Sequence, residues 1–371
     1  MFKIICGKKL TDWSYSEFSH LPWRGKKRTL YTTLVSEIML QQTTVGTVLN
    51  HFDRFMAQFP NLEKLSEASE EEMLVAWKGL GYYRRAKNLR AAACEIRERF
   101  SGRFPKSFEE LVEIKGIGPY TASALISIGR DQRALAVDAN LERVLSRFYG
   151  LQSPKGPKLQ KEIYEQFKEH QILSDLPTKI SFRALNEALM DLGRTYCQSR
   201  RVSCEFCPLQ KKCVAFQDPK LRPLELPTTS EQNKAKSKKF FELNLLRVFI
   251  RSRDHIKVIK KTDDQWLAGQ YELPTYILKS EDKNLGQYPT FAAKLKGYEK
   301  LPSYKTTITK YKITNYIWEG TVRDFLKAFK NNGDLVNDQK KWPDLKLAQS
   351  HKLSTASLKA IKLLEKAKNR Q

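Results

Sequence analysis

Long apolar runs are missing from this 371-residue chain. None approaches the roughly 18 residues that a membrane-crossing helix needs, so no transmembrane span is expected. The first residues, Met1 to Lys9, hold a few apolar side chains but no small-residue cleavage site, and read as mature protein rather than a signal peptide. Acidic residues are short relative to basic ones: 41 Asp and Glu against 66 Lys and Arg leave a formal net charge of +25. So large a surplus in a folded enzyme points to a polyanionic partner, because neutralising phosphates releases counterions. Charge alone does not separate DNA from RNA or an acidic membrane. Cysteine is sparse, and four of the six fall in one cluster. A secreted disulfide protein spreads its cysteines, so the clustering favours a reducing cytoplasm and a metal site. The chain has no internal repeat and no dimerisation heptad, and a monomer is expected.

What is present divides in two. From about Tyr15 to Phe216 the apolar residues recur with helical period, in Val35 to Leu40, Glu70 to Leu80, Ala86 to Arg99, Phe108 to Ile114, Tyr120 to Ile128 and Phe182 to Leu192. Residues 1–225 are expected to form an all-α domain. Pro219, Pro223 and Pro227 then punctuate the chain, and Thr228 to Lys239 is polar, which marks a linker over 226–238. Strand-like runs follow at Leu243 to Arg251, Ile256 to Lys260, Thr306 to Lys312 and Tyr316 to Gly320, with helices expected over Thr321 to Lys330 and Ser354 to Lys366. Residues 239–369 are thus a smaller α+β domain.

Three local patterns carry chemistry. Cys197, Cys204, Cys207 and Cys213 are spaced C-x6-C-x2-C-x5-C. Short loops gather such thiolates at little entropic cost, and four of them suit zinc or an iron–sulfur cluster. Arg200, Arg201, Lys211 and Lys212 would make that loop a basic platform for a phosphate backbone. Second, Lys115-Gly116-Ile117-Gly118-Pro119 joins two helices; its glycines allow a tight turn and a close approach of a phosphate to backbone amides, or simply an αα-corner. Third, Asp138 precedes the helical run Asn140 to Tyr149. It fits an N-cap, and a carboxylate there could also face a developing positive charge, with Asn140 beside it.

Taken in order, Ser36-Glu37-Ile38-Met39-Leu40-Gln41-Gln42-Thr43, Trp77-Lys78-Gly79-Leu80-Gly81-Tyr82-Tyr83, Ile117-Gly118-Pro119-Tyr120-Thr121-Ala122, Val137-Asp138-Ala139-Asn140 and the four cysteines resemble the adenine DNA glycosylase (MutY) family of the helix–hairpin–helix glycosylases. The likeness spans roughly Leu21 to Phe216. It implies an all-α, two-lobed helix–hairpin–helix glycosylase domain with one [4Fe–4S] cluster on the four cysteines. It also implies a double-stranded DNA substrate carrying adenine opposite 8-oxoguanine or guanine.

The resemblance assigns roles. Glu37, in an apolar helix, is similar to the family's general acid, and burial would keep it protonated near neutral pH. Asp138 would stabilise the oxocarbenium-like sugar, with Tyr120 and Asn140 in support. Gln42, Leu80 and Tyr82 resemble residues that fill the vacated stack, the last two on an exposed Gly-Leu-Gly-Tyr-Tyr loop. Glu187 matches a position that hydrogen-bonds adenine or the acid, and Trp23 and Arg24 would line the adenine pocket. Lys115, Gly116 and Gly118 would meet the DNA backbone. A bifunctional relative resembling endonuclease III has lysine at the Tyr120 position; tyrosine cannot form its Schiff base, so base removal without efficient strand cleavage is expected. A thymine-mismatch glycosylase is disfavoured by Glu37, and a non-enzymatic DNA-binding protein would need neither carboxylate.

From about Lys239 to Lys368 the chain resembles the family's Nudix-like domain. The metal-binding Nudix box is absent, so pyrophosphatase activity is not expected. Trp266 to Pro274 fits that fold's early strand. The family's Phe-Ser-His lesion-reading turn is here Ile308-Thr309-Lys310, where Thr309 keeps a hydroxyl and Lys310 could contact a phosphate.

Overall fold

The computed structural model describes residues 7–25, 28–169, 181–228, 240–262, 264–291, 295, 297–330 and 338–368. Internal contacts divide the chain into two units, Met1–Ala68 with Arg84–Lys236, and Ser69–Tyr83 with Ser237–Gln371. Most of the linker expected over 226–238 lies outside the described residues.

The first unit is helical. Its helices are α1 (Gly7–Phe18), α2 (Leu30–Leu40), α3 (Val45–Gln58), α4 (Leu62–Glu67), α6 (Arg84–Phe100), α7 (Phe108–Glu113), α8 (Pro119–Ala124), α9 (Ala139–Tyr149), α10 (Pro157–Glu169), α11 (Phe182–Arg194) and α12 (Val214–Gln217). The starts are set locally. Thr29 and Thr32 form a capping box on α2, Ser107 and Glu110 form one on α7, and Asp138 caps α9. Helix α2 is apolar almost all round and is buried from Tyr31 to Met39 apart from Thr32, packed against α3, α6 and α8. Around α9 and α11 a second cluster gathers Leu10, Leu141, Leu145, Phe148, Leu185, Leu189 and Leu192. The helix expected over Tyr120 to Ile128 continues past α8 as one π-helical turn, Leu125–Gly129.

The second unit carries α5 (Glu70–Ala76) and a mixed sheet in the order β6-β7-β1-β2-β8, with β5 also on β1. These strands are β1 (Phe241–Ser252), β2 (His255–Lys257), β5 (Thr275–Ser280), β6 (Ser303–Ile308), β7 (Tyr311–Gly320) and β8 (Asp344–Lys346); β3 (Ile259–Lys260) and β4 (Tyr271–Glu272) pair separately. β7 runs parallel to β1 in the register Leu243 to Ile313, and β6 lies antiparallel to β7. A buried ion pair, Arg247 to Glu272 at 2.7 Å, crosses the sheet core, and Asn315 accepts from Arg247 Nε at 2.8 Å.

Two expectations for this unit need correction. The run Thr306 to Lys312 is not one strand: β6 ends at Ile308, Thr309 turns in a left-handed conformation (φ 49°), and β7 begins at Tyr311. Trp266 to Pro274 is mostly turn, because Leu267 and Gly269 both have positive φ, and only Tyr271–Glu272 is extended.

Candidate active site

Glu37 sits in the last turns of α2 and is 5% exposed. Burial pushes its carboxyl from the ordinary 4.5 up to about 7. The Tyr120 hydroxyl, from α8, donates to Glu37 Oε2 at 2.5 Å. Burial and the nearby carboxylates hold the Tyr120 phenol far above its ordinary range, so it remains a donor. Beyond Glu37 the end of α2 is gripped from α6. Arg85 Nη1 donates to the carbonyls of Ile38 and Met39, both at 2.8 Å, and Nη2 donates to Thr43 Oγ1 at 2.9 Å. The turn that follows puts Gln42, exposed, in a left-handed backbone (φ 54°).

Asp138 does what a helix cap does. Its Oδ1 accepts from the amides of Asn140 and Leu141, each at 2.8 Å, and Oδ2 accepts from Asn140 Nδ2 at 2.7 Å. Burial raises this carboxyl above the usual aspartate range, and those hydrogen bonds together with Arg143 pull it back. The stretch leading to Asp138 is pinned by buried Asn186, whose side chain accepts from the Ala136 amide and donates to the Ala134 carbonyl. Helix α11 comes close because Gly193 has no side chain: a Cβ there would meet Asn140 Cβ at 2.5 Å. Arg143 Nη2 bridges Asn140 Oδ1 (2.8 Å) and the Gly193 carbonyl (2.6 Å).

These elements enclose one cavity of about 920 Å³, ample for a purine nucleoside. Trp23, Arg24, Glu37, Gln42, Tyr120, Asp138, Asn140 and Glu187 all line it. Trp23 is 6% exposed and packs edge-on against Phe52. The Arg24 guanidinium is engaged by Asp191, at 2.8 and 3.1 Å. Asp191 also accepts from Ser14 Oγ at 2.5 Å and from Arg194. Glu187 pairs with Arg28 at 2.6 Å. Sequence reading missed Arg28, Asp191, Asn186 and Gly193. The spacing of Glu187 and Asp191, four apart on Phe182–Arg194, was a readable sign that two acids share one helix face and need cations.

Cys197, Cys204, Cys207 and Cys213 line a separate small cavity of about 30 Å³. Among the described residues, no three His, Cys, Asp or Glu side chains are grouped as ligands of one metal ion. Burial pushes the Cys207 thiol up to about 12 and the Cys213 thiol up to about 11. Buried Arg147 turns Nη1 toward Cys197 Sγ at 3.2 Å. In the hairpin, Gly116 has a φ of 93°, and a Cβ there would strike the Asn88 carbonyl at 2.7 Å, whereas Gly118 faces open space. The Lys115 amide is taken by Glu95.

In the second unit, Leu80 is buried rather than exposed, turned inward between Gly79 and Gly81, both of positive φ. Tyr82 is 56% exposed with φ 48°. Thr309 and Lys310 form the exposed β6–β7 turn, and Lys310 Nζ lies 4.5 Å over the Phe241 ring and 3.4 Å from Asp282.

Residues 35–169 match the HhH-GPD superfamily base excision DNA repair protein family. An adenine DNA glycosylase of Buchnera aphidicola subsp. Schizaphis graminum is 32% identical over 292 residues, covering 78% of this chain and 76% of that protein. Another, of Buchnera aphidicola subsp. Baizongia pistaciae, is 29% identical over 371 residues, covering 99% and 98%. Among solved structures, a thermostable thymine-DNA glycosylase superposes with a TM-score of 0.48 at 25% identity, over 56% of this chain and 94% of that one.

Proposed function

The chain belongs to the adenine DNA glycosylase family and is a DNA glycosylase, and from that premise we propose that it hydrolyses the N-glycosidic bond of adenine mispaired with 8-oxoguanine or guanine, in base excision repair. One observation carries the reading: a single cavity wall holds a buried carboxylic acid titrating near neutrality, Glu37, and a second carboxyl group, Asp138, that accepts three hydrogen bonds.

The two carboxyl groups take opposite duties. A base is reached only when it leaves the stack, at a cost of about a few kcal/mol that is least for a mispair. Gln42, at the cavity lining, is assigned to the vacated space. Protonated Glu37 gives its proton to adenine N7, so the base departs neutral instead of as an anion. Tyr120, donating to Oε2, leaves Oε1 to carry that proton. The sugar is left with oxocarbenium character, and ionised Asp138, fixed by the α9 amides and Asn140, stabilises it while water attacks. Glu187 accepts from the adenine amino group, and Trp23 supplies the apolar wall. Arg24 orients α11 through Asp191. Tyr120 has no amine for an imine, so the strand is not cut by β-elimination.

The four cysteines are assigned to a [4Fe–4S] cluster: all four line one small cavity, and buried Arg147, 3.2 Å from Cys197 Sγ, would offset thiolate charge. Such a cluster would be held by Cys197, Cys204, Cys207 and Cys213 and would crosslink the loop 197–213 into a rigid basic platform. Lys115, Gly116 and Gly118 are assigned to the phosphate backbone. The second unit is assigned as a Nudix-like lesion reader, with Thr309 and Lys310 at its tip. The protein is proposed to act as a monomer in the cytoplasm.

The test uses duplexes carrying adenine opposite 8-oxoguanine, adenine opposite guanine, or thymine glycol. Alkali-dependent cleavage at adenine is expected. Cleavage at thymine glycol without alkali would overturn the reading in favour of a bifunctional pyrimidine glycosylase.

A further inference from the structure

A second layer of charge stands behind the cavity wall. Arg28, just before α2, does not line the cavity, and its side chain is 5% exposed. Nε donates to the Trp23 carbonyl at 2.8 Å, and Nη1 lies 2.6 Å from Glu187 Oε1. The neighbouring Arg24 has a different target: it is bidentate on Asp191 and no nearer than 3.6 Å to Glu187. Asp191 holds further donors in Ser14 and Arg194. The near cation of Glu187 is therefore Arg28.

That pairing has a chemical consequence. Of the four carboxyl groups that line the cavity, Asp191 is committed to Arg24, Arg194 and Ser14, which leaves those of Glu37, Asp138 and Glu187. Like charges in such a space push one another toward protonation. Excision needs them in different states: Glu37 neutral, Asp138 ionised, and Glu187 able to accept from the base. A guanidinium held behind Glu187 balances that carboxylate without entering the space the base would take.

We propose that Arg28 is a positioning residue for base excision: anchored on the Trp23 carbonyl, it fixes the Glu187 carboxylate at the cavity wall and balances its charge. The proposal rests on the adenine-excision reading and deepens it. The groups facing Glu37 are Tyr120 from α8, Asp138 at the start of α9, Glu187 from α11 and Arg28. Of these, Glu187 and Asp138 raise its pKa, while Arg28 and the Tyr120 hydrogen bond lower it. Removing Arg28 thus moves the acid's titration to higher pH even as the rate falls.

The experiment measures single-turnover adenine release from duplexes with adenine opposite 8-oxoguanine, across pH, for the unaltered protein, Arg28→Met, Arg28→Lys, Glu187→Gln and the Arg28→Met/Glu187→Gln double variant. Melting curves and duplex binding are recorded alongside. Arg28→Met is expected to lose roughly tenfold or more in the excision step with duplex affinity retained, and its alkaline limb should shift upward. In the Glu187→Gln background the same change should cost less than about twofold, since no carboxylate remains to be held. Arg28→Lys keeps the cation but not the second arm. It should fall between, with the limb unmoved, and it decides the matter if Arg28→Met does not fold. Equal losses in both backgrounds, or Arg28→Lys at the full rate, overturn the proposal. No adenine release by the unaltered protein overturns the underlying reading instead.

Discussion

Glu37 shows how one side chain trades stability for chemistry. Its carboxyl titrates at about 7 when folded and at its ordinary 4.5 when exposed. The folded state therefore binds a proton that the unfolded chain releases between those values. Stability linked to this group is complete below pH 4.5 and declines as pH rises to about 7, by on the order of 3 kcal/mol. The acid is competent over the same range that makes it costly. Excision should thus be level below about pH 7 as far as Glu37 is concerned, then fall toward tenfold per pH unit above it. Glu37→Gln keeps a polar group for Tyr120 but has no proton to give. It should lose on the order of a hundredfold or more in rate, and should melt higher than the unaltered protein at pH 8 yet close to it at pH 4.5. A Glu37→Gln variant with the same pH-dependent melting as its parent would detach the buried proton from position 37.

At the scale of elements, the cavity depends on how closely α11 approaches the start of α9. Gly193 permits that approach. In an isolated helix Ala is better than Gly by about 1 kcal/mol, but here the added methyl would lie 2.5 Å from Asn140 Cβ and 3.1 Å from its Cα. The overlap wins, because neither atom is the end of a flexible chain. Gly193→Ala should lower stability by about 1–3 kcal/mol and, by displacing Asn140 and Asp138, slow excision by on the order of a hundredfold. Parallel melting and single-turnover assays check it, and an unchanged rate would show that the two helices can part without moving the carboxylate. This junction also marks what was legible. Helical periodicity exposed α2, α6 and α11, and the motif around Glu37 picked out a carboxyl that the fold buries. Gly193 reads in sequence only as a weak point in a helix. Arg28 reads as one of several basic residues, since its partner is 159 positions away. The β6–β7 turn hid inside a β-branched run, Thr306-Thr307-Ile308-Thr309, whose composition gives no sign that Thr309 takes a left-handed backbone.

The whole molecule carries a charge of +25, and no local geometry accounts for so large a value. The carboxylates of the cavity oppose it, so the surplus acts elsewhere, on the field that a polyanion meets first. The hairpin divides these roles within five residues. Gly116 is fixed by the Asn88 backbone against it, Gly118 faces open space, and Lys115 spends its amide on Glu95, which leaves its ammonium as the part that can meet a phosphate. A contact of that kind is blind to sequence and sensitive to salt, whereas a contact to the flipped base is the reverse. Binding to a non-cleavable duplex should therefore weaken by at least about tenfold between 50 and 200 mM salt, log affinity falling linearly with log salt. Lys115→Ala should make that slope shallower by about one and weaken matched and mismatched duplexes alike. It should leave the excision rate of the bound complex and the Glu37 pH limb untouched, because Lys115 does not line the cavity. Equilibrium titrations over a salt series measure both quantities, and a variant that lost mismatch preference with its slope intact would move Lys115 from the phosphate backbone to the base.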